Sequence, residues 1–356
     1  MKRLYVCILI VVGFIASVSA ETRPATRLFT TSRCFDLIAS LQYFDKIKNL
    51  TQFSHLASDS AFIRKLQHVN DNVTASKLCN LYSSFGGDKD NADNCVTFFR
   101  EMVSNDSLAH TNAGWIENII GLQPELAYCL SRLYDAGYSD YWDNEVKPVL
   151  ERYINSYPVS DETLDDIHDA LTEFSGSEVL PQVHSNIYIL NIDNAFNLSD
   201  ESFCCIPLLL DPELEKKFRL DFLKVYTHEN IHRLSISEEL MKRLDELMSD
   251  DFYREKEIVA RSHNEGRNEA FVVASEVFIS HNIGRRDIKE VYDEFNEYVD
   301  GSLVLAPIIY VHLLDKGKEE SLNDFILRLF DNGTIKVGKV EAEYNKAMSQ
   351  IKNGKR

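Results

Sequence analysis

The stretch His228-Glu229-Asn230-Ile231-His232 constrains this chain more than any other five residues in it. On a helix, residues four apart project from one side, about 6 Å from one another, so both imidazoles can reach one ion. The flanking residues predict that helix. At about 100° per residue, Leu220, Leu223, Thr227, Ile231 and Leu234 share one arc, the side expected to pack on a core. His228 and His232 fall about 80° and 120° round from Leu220, on the flank of that arc, and Glu229 about 180° round. Asp211-Pro212 reads as a helix start, a capping carboxylate followed by proline in the first turn. One long helix over Glu213 to Leu234 is the expectation.

Each residue type in the motif has a chemical reason. Zinc is redox-inert, binds neutral imidazole well and as a Lewis acid lowers the pKa of water towards about 7. A carboxylate beside that water can accept its proton and pass it to a leaving amine, which makes Glu229 the candidate general base. A catalytic zinc also needs a third protein ligand and an open position. No Cys-x-x-Cys pair occurs, and no His-x-x-Gly-x-x-His continuation follows the motif, so a helix-borne glutamate is the better candidate. Asn264-Glu265-Gly266-Arg267-Asn268-Glu269-Ala270-Phe271 opens a second apolar helix, and both Glu265 and Glu269 are candidates.

Around the motif the chain changes texture. From Cys34 to about Phe174 the pattern is helical: Leu37, Leu41, Phe44 and Ile47 form one stripe, with others at Phe98, Phe99 and Met102 and at Ile116, Ile119 and Ile120. Ser175-Gly176-Ser177 followed by Pro181 marks a boundary. Ile187 to Ile192 and Ser202 to Leu210 are rich in strand formers, and helices follow to the C-terminus. The expected class is α+β and helix-dominated, with a helical region over 21–176 and a catalytic domain with a small mixed sheet over 177–356.

His228-Glu229-x-x-His232 followed by Asn268-Glu269-Ala270 resembles the gluzincin metallopeptidases, the thermolysin-like branch of the zincins. The resemblance covers roughly residues 185 to 280. It implies a zincin-like fold, one zinc ion, His228, His232 and Glu269 as ligands, Glu229 as general base, and a peptide or protein substrate. It also implies a strand before the motif helix that pairs extended peptide, either Ser202 to Leu210 or Ile187 to Ile192. The wider layout is similar to a poorly characterised bacterial family of secreted HExxH peptidases. The interval from His232 to Glu269 is longer than usual in the group, so a helical insertion is expected over Glu238 to Arg261. Val273 stands where an aspartate often orients a histidine, which leaves Glu276 as the candidate orienting carboxylate. For oxyanion stabilisation Tyr310 leads, with His312, then His263, Tyr292 and Tyr298 behind it.

Composition bounds the setting. Lys2 and Arg3, the apolar run Leu4 to Val12 and the small residues Val18-Ser19-Ala20 read as a signal peptide over 1–20, so a secreted or periplasmic protein is expected. No later segment is long and apolar enough to span a bilayer. The formal net charge of −18 disfavours nucleic acid and favours cationic substrates. Beyond Cys7 the cysteines are Cys34, Cys79, Cys95, Cys129, Cys204 and Cys205, an even number that suggests disulfides, with Cys79–Cys95 the favoured bridge. Asn-x-Ser/Thr sequons occur at Asn49, Asn72, Asn105, Asn197 and Asn332. Two other readings remain: a non-catalytic binding protein with a structural zinc, and a helical interaction protein whose motif is accidental.

Overall fold

Ser32 starts the first long helix, Arg33–Gln42, its hydroxyl accepting a hydrogen bond from the Phe35 amide at 3.2 Å. Leu37 and Leu41, then Phe44 and Ile47 in the turn that follows, are buried, as their spacing predicts. Asp36 lies on the same inner side. Its carboxylate accepts the Trp142 indole N–H at 2.8 Å and the Asn191 amide at 2.6 Å, and burial pushes its pKa up to about 7. That side chain fastens the N-terminal helices to the only sheet found among the described residues.

The computed structural model describes residues 28–102, 114–156, 161–178, 186–192, 195–198, 202–205, 224–263 and 265–354. The expected signal peptide, Asn105, Asp211-Pro212, Leu220 and Leu223 lie outside them, as does the strand expected beyond Cys205. The architecture is α+β and dominated by helix.

Four short strands form a mixed sheet: β1 (Leu28–Thr30), β2 (Asn186–Ile189), β3 (Phe196–Asn197) and β4 (Ser202–Cys205), in the order β1-β2-β4-β3. β1 and β4 run parallel to β2, with Ile187 opposite Phe29 and Phe203, while β3 is antiparallel to β4. All of β4 is buried, as expected of an inner strand covered on both faces. β1 precedes the N-terminal helices yet pairs with β2, so the two sides of the expected 176/177 boundary share one sheet and one apolar core.

Helices Glu238–Leu247 and Asp251–Ser262 fill the expected insertion, capped by Ser237 and Asp250. Helix Glu269–Asn282 follows and is buried nearly all round, the pattern of a central helix. It packs against helices Leu305–His312 and Asp161–Ser175. Among the described residues no helix is long and apolar enough to cross a membrane.

The expected Cys79–Cys95 bridge is not formed. Cys34, Cys79, Cys95, Cys129, Cys204 and Cys205 carry buried, free thiols. Cys79, on helix Ala75–Phe85, turns towards the first helix and donates to the Phe35 carbonyl at 3.9 Å, whereas the Cys95 thiol is hydrogen-bonded to the Cys34 thiol. Burial raises the pKa of Cys79 and Cys95 well above the usual thiol range, which keeps them protonated and inert.

Candidate metal centre

The motif helix is described from residue 224 and runs to 231. Tyr226, Thr227, Asn230 and Ile231 are its buried residues, and the Tyr226 ring stands edge-on to Phe203 of β4 at 5.5 Å. The variable position Asn230 is structural: its amide donates to the Tyr226 carbonyl at 2.7 Å, and its oxygen accepts Arg233 at 3.2 Å. The helix ends at His232, where the Arg233 and Leu234 amides tighten onto Asn230 and Ile231. His228, Glu229 and His232 project from the partly exposed flank.

Glu269 comes from the first residue of helix Glu269–Asn282, an end that favours a negative charge. Its side chain is 4% exposed. Oε1 lies 3.2 Å from His228 Nε2 and Oε2 lies 3.4 Å from His232 Nε2, while the two Nε2 atoms are 3.0 Å apart. Donors at about 2.0–2.1 Å from a tetrahedral zinc are separated by about 3.3 Å. The three side chains therefore fit the ion without rearrangement. Glu229 also belongs to the cluster, with ligand atoms of His228, Glu229 and His232 all within 4.8 Å of one another. Glu229 and Glu269 thus both bring a carboxylate to the pair of imidazoles, with Glu269 in direct contact with each ring.

The two carboxylates differ in their electrostatics. Burial drives the His228 pKa down to about 4, against the pull of Glu269. Burial also works downward on His232, but its hydrogen bond to Glu269 and the charges of Glu229, Glu269 and Glu265 outweigh it, and the pKa is raised. Glu269 is pushed up by burial and pulled further down by His232 and His228, so it is held below the usual carboxylate range. Burial pushes Glu229 up to about 7, where a carboxyl group exchanges protons near neutrality.

Three further groups hold the site. Tyr298 donates to Glu265 Oε1 at 3.2 Å and to Glu269 Oε1 at 3.4 Å. It precedes Val299 and Asp300, both left-handed at φ 52° and 54°, a conformation that is costly for a β-branched valine. Asn197 of β3 donates to the Glu229 carbonyl at 2.7 Å and to Glu229 Oε2 at 3.2 Å. Lys224, one turn before His228, donates to Glu294 at 2.5 Å; Arg286 bridges Glu294 at 2.9 Å and Glu276 at 3.0 Å. That buried chain of charges braces the motif helix against helix Glu269–Asn282.

Several expectations are corrected. Tyr310 is not at the centre: it packs on Phe278 and Phe295, and its hydroxyl bonds His281 Nδ1 at 2.6 Å. His281 lies three helical turns beyond Glu269, about 18 Å along the axis. His312 sits beside Asp315, Tyr292 under Lys352, and His263 on Asp300. Tyr298, one of the three residues grouped behind Tyr310 and His312 on sequence, reaches the cluster. Glu276 accepts from Arg286 and Ser280 and so belongs to the bracing network. Glu265 sits behind Glu269, bonded to Tyr298. Among the described residues β2 and β4 each have a strand on both sides, and the strand beside Glu229 is β3; positions 206–210 of the expected strand lie outside them. Asn197 was missed because nothing in its spacing to the motif signals contact. Lys224, four positions before His228, was legible as a residue on the same helix side.

Comparison of the chain with protein-family models, curated proteins and solved structures finds no match. The chemistry of the site therefore rests on its own geometry.

Proposed function

We propose that this chain is a zinc-dependent peptidase of the gluzincin kind, with one zinc ion held by His228, His232 and Glu269 and with Glu229 as general base. The observation that carries the reading is the mutual spacing of the three donor groups at 3.0 to 3.4 Å, with Glu229 as a second carboxylate in the same cluster. A bound zinc supplies Lewis acidity, polarising a carbonyl and lowering the pKa of water. Glu229 accepts the proton of the attacking water and returns it to the leaving amine, a task its near-neutral pKa suits. Glu269 supplies negative charge between two imidazoles that must be neutral to act as ligands. Tyr298 holds Glu269 in place through its hydroxyl.

Elemental analysis and a peptide-library digest test the reading together. Wild-type protein is expected to carry one zinc and to cleave, Glu229→Gln to keep zinc without cleaving, and Glu269→Ala to lose zinc. Full turnover by Glu229→Gln, or cleavage indifferent to chelation, would refute it. Zinc without any cleavage would instead favour a binding protein with a structural ion.

A further inference from the structure

We propose that Asn197 is a positioning residue for Glu229 and that Asn80, from the helical N-terminal half, holds Asn197 in place. The catalytic part of this inference rests on the peptidase reading; the contact itself does not.

Glu229 is the one motif residue that must move a proton, so its carboxylate has to be held at a fixed orientation. The Asn197 amide nitrogen meets two oxygens of that residue, the backbone carbonyl at 2.7 Å and Oε2 at 3.2 Å. One planar donor group bridging both pins the side chain to its own helix. With Oε2 engaged, Oε1 is the oxygen left to carry the proton.

Among the described residues β3 is only two residues long and pairs with β4, so a contact on its outer side adds support to Asn197. The Leu198 amide donates to the Ser202 carbonyl at 2.7 Å, so Leu198 faces β4 and the backbone of Asn197 faces outward. There Asn80 meets it. From helix Ala75–Phe85 its amide donates to the Asn197 carbonyl at 3.0 Å and to the Ser76 carbonyl at 3.1 Å. Residues far apart in sequence thus form one relay, Asn80 to Asn197 to Glu229. The N-terminal half is then a working wall of the centre and not a removable segment. The relay also separates Asn197 from the exposed sequon asparagines Asn49, Asn72 and Asn332: a glycan on its amide nitrogen would break the contact with Glu229.

Two measurements test this. In metal-free protein labelled with nitrogen-15 at asparagine, Glu229→Ala and Asn80→Ala are each expected to shift the side-chain amide signal of Asn197. An unmoved signal in Glu229→Ala overturns the proposal whatever the activity. In kinetics, Asn197→Ala is expected to retain zinc and melting temperature while kcat falls about 10- to 100-fold at nearly constant KM. Asn80→Ala should show a smaller loss of the same kind. Asn197→Asp keeps the shape but replaces the donor by a second carboxylate, so it should be slower than Asn197→Ala. The reverse order would mean that only shape matters and would overturn the donor role. Wild-type cleavage that survives undiminished in Asn197→Ala overturns this inference alone. A zinc-loaded wild type that cleaves nothing overturns the peptidase reading and the positioning role with it.

Discussion

Replacing Arg286 by leucine should remove the positive centre of the buried charge chain and expose what it holds together. The guanidinium is 10% exposed and lies 2.9 Å from Glu294 and 3.0 Å from Glu276. Glu294 keeps Lys224 at 2.5 Å, but Glu276, whose side chain is fully buried, is left with the Ser280 hydroxyl at 2.8 Å. Breaking a buried pair by removing one partner costs about 3–5 kcal/mol, which for a chain of this size lowers Tm by about 4–7 °C. The penalty must depend on pH in one direction. Burial already holds the Glu276 pKa above its ordinary 4.5 while Arg286 pulls it down, so the leucine variant raises it further. A raised carboxyl pKa costs the fold nothing below the ordinary value and progressively more as pH climbs through the folded one. The gap between wild type and Arg286→Leu should therefore be small near pH 4.5 and full at pH 8. Urea denaturation at several pH values measures it, and Arg286→Leu with Glu276→Gln should recover part of the loss. A loss below about 1 kcal/mol, no pH dependence, or a double variant as unstable as the single one would refute the argument.

Zinc affinity should weaken in acid by one competing proton, not two. In a Glu229→Gln background, His228 stays neutral down to about 4, Glu269 is already ionised, and only His232, which loses the Glu229 charge but keeps its hydrogen bond to Glu269, takes up a proton. The slope of log Kd against pH between about 5 and 6.5 should then be close to one; a slope of two would show that His228 also titrates. Tyr298→Phe removes the donor shared by Glu265 and Glu269 and should weaken zinc binding about 10-fold; an unchanged titration would make the hydroxyl irrelevant. Val299→Gly should raise stability by about 1 kcal/mol, since glycine adopts the left-handed conformation that valine resists; a lower Tm would mean that the valine side chain contributes more than its backbone costs.

Local patterns were the legible part of the fold. Stripes such as Leu37, Leu41, Phe44 and Ile47 mark buried helix faces because helical spacing puts residues three and four apart on one side. The strand formers at Ile187 and Phe203 do lie in strands, but nothing in their composition says that both are inner strands or that Phe196–Asn197 takes the edge. Strand order depends on how distant segments pair. The thiols show the same limit. Cys79 and Cys95 are close enough in sequence to suggest a loop bridge, yet the first helix passes between their roles and takes the Cys79 thiol.

By itself the sequence determined the pairing of His228 with His232 and the place of Glu229 beside them, because one helical turn dictates all three positions. It also narrowed the third donor to Glu265 or Glu269 on the opening of a later helix. The resemblance pointed to Glu269, and the tertiary structure shows which of the two carboxylates lies against the imidazoles. It seats Glu269 at 3.2 and 3.4 Å from the imidazoles and leaves Glu265 behind it on Tyr298. It likewise brought in Tyr298 instead of Tyr310, and Asn197 and Asn80, which share no periodicity with the motif. The physical reason is that backbone geometry carries information over a few residues, whereas contacts between separate elements are set by how their buried faces pack.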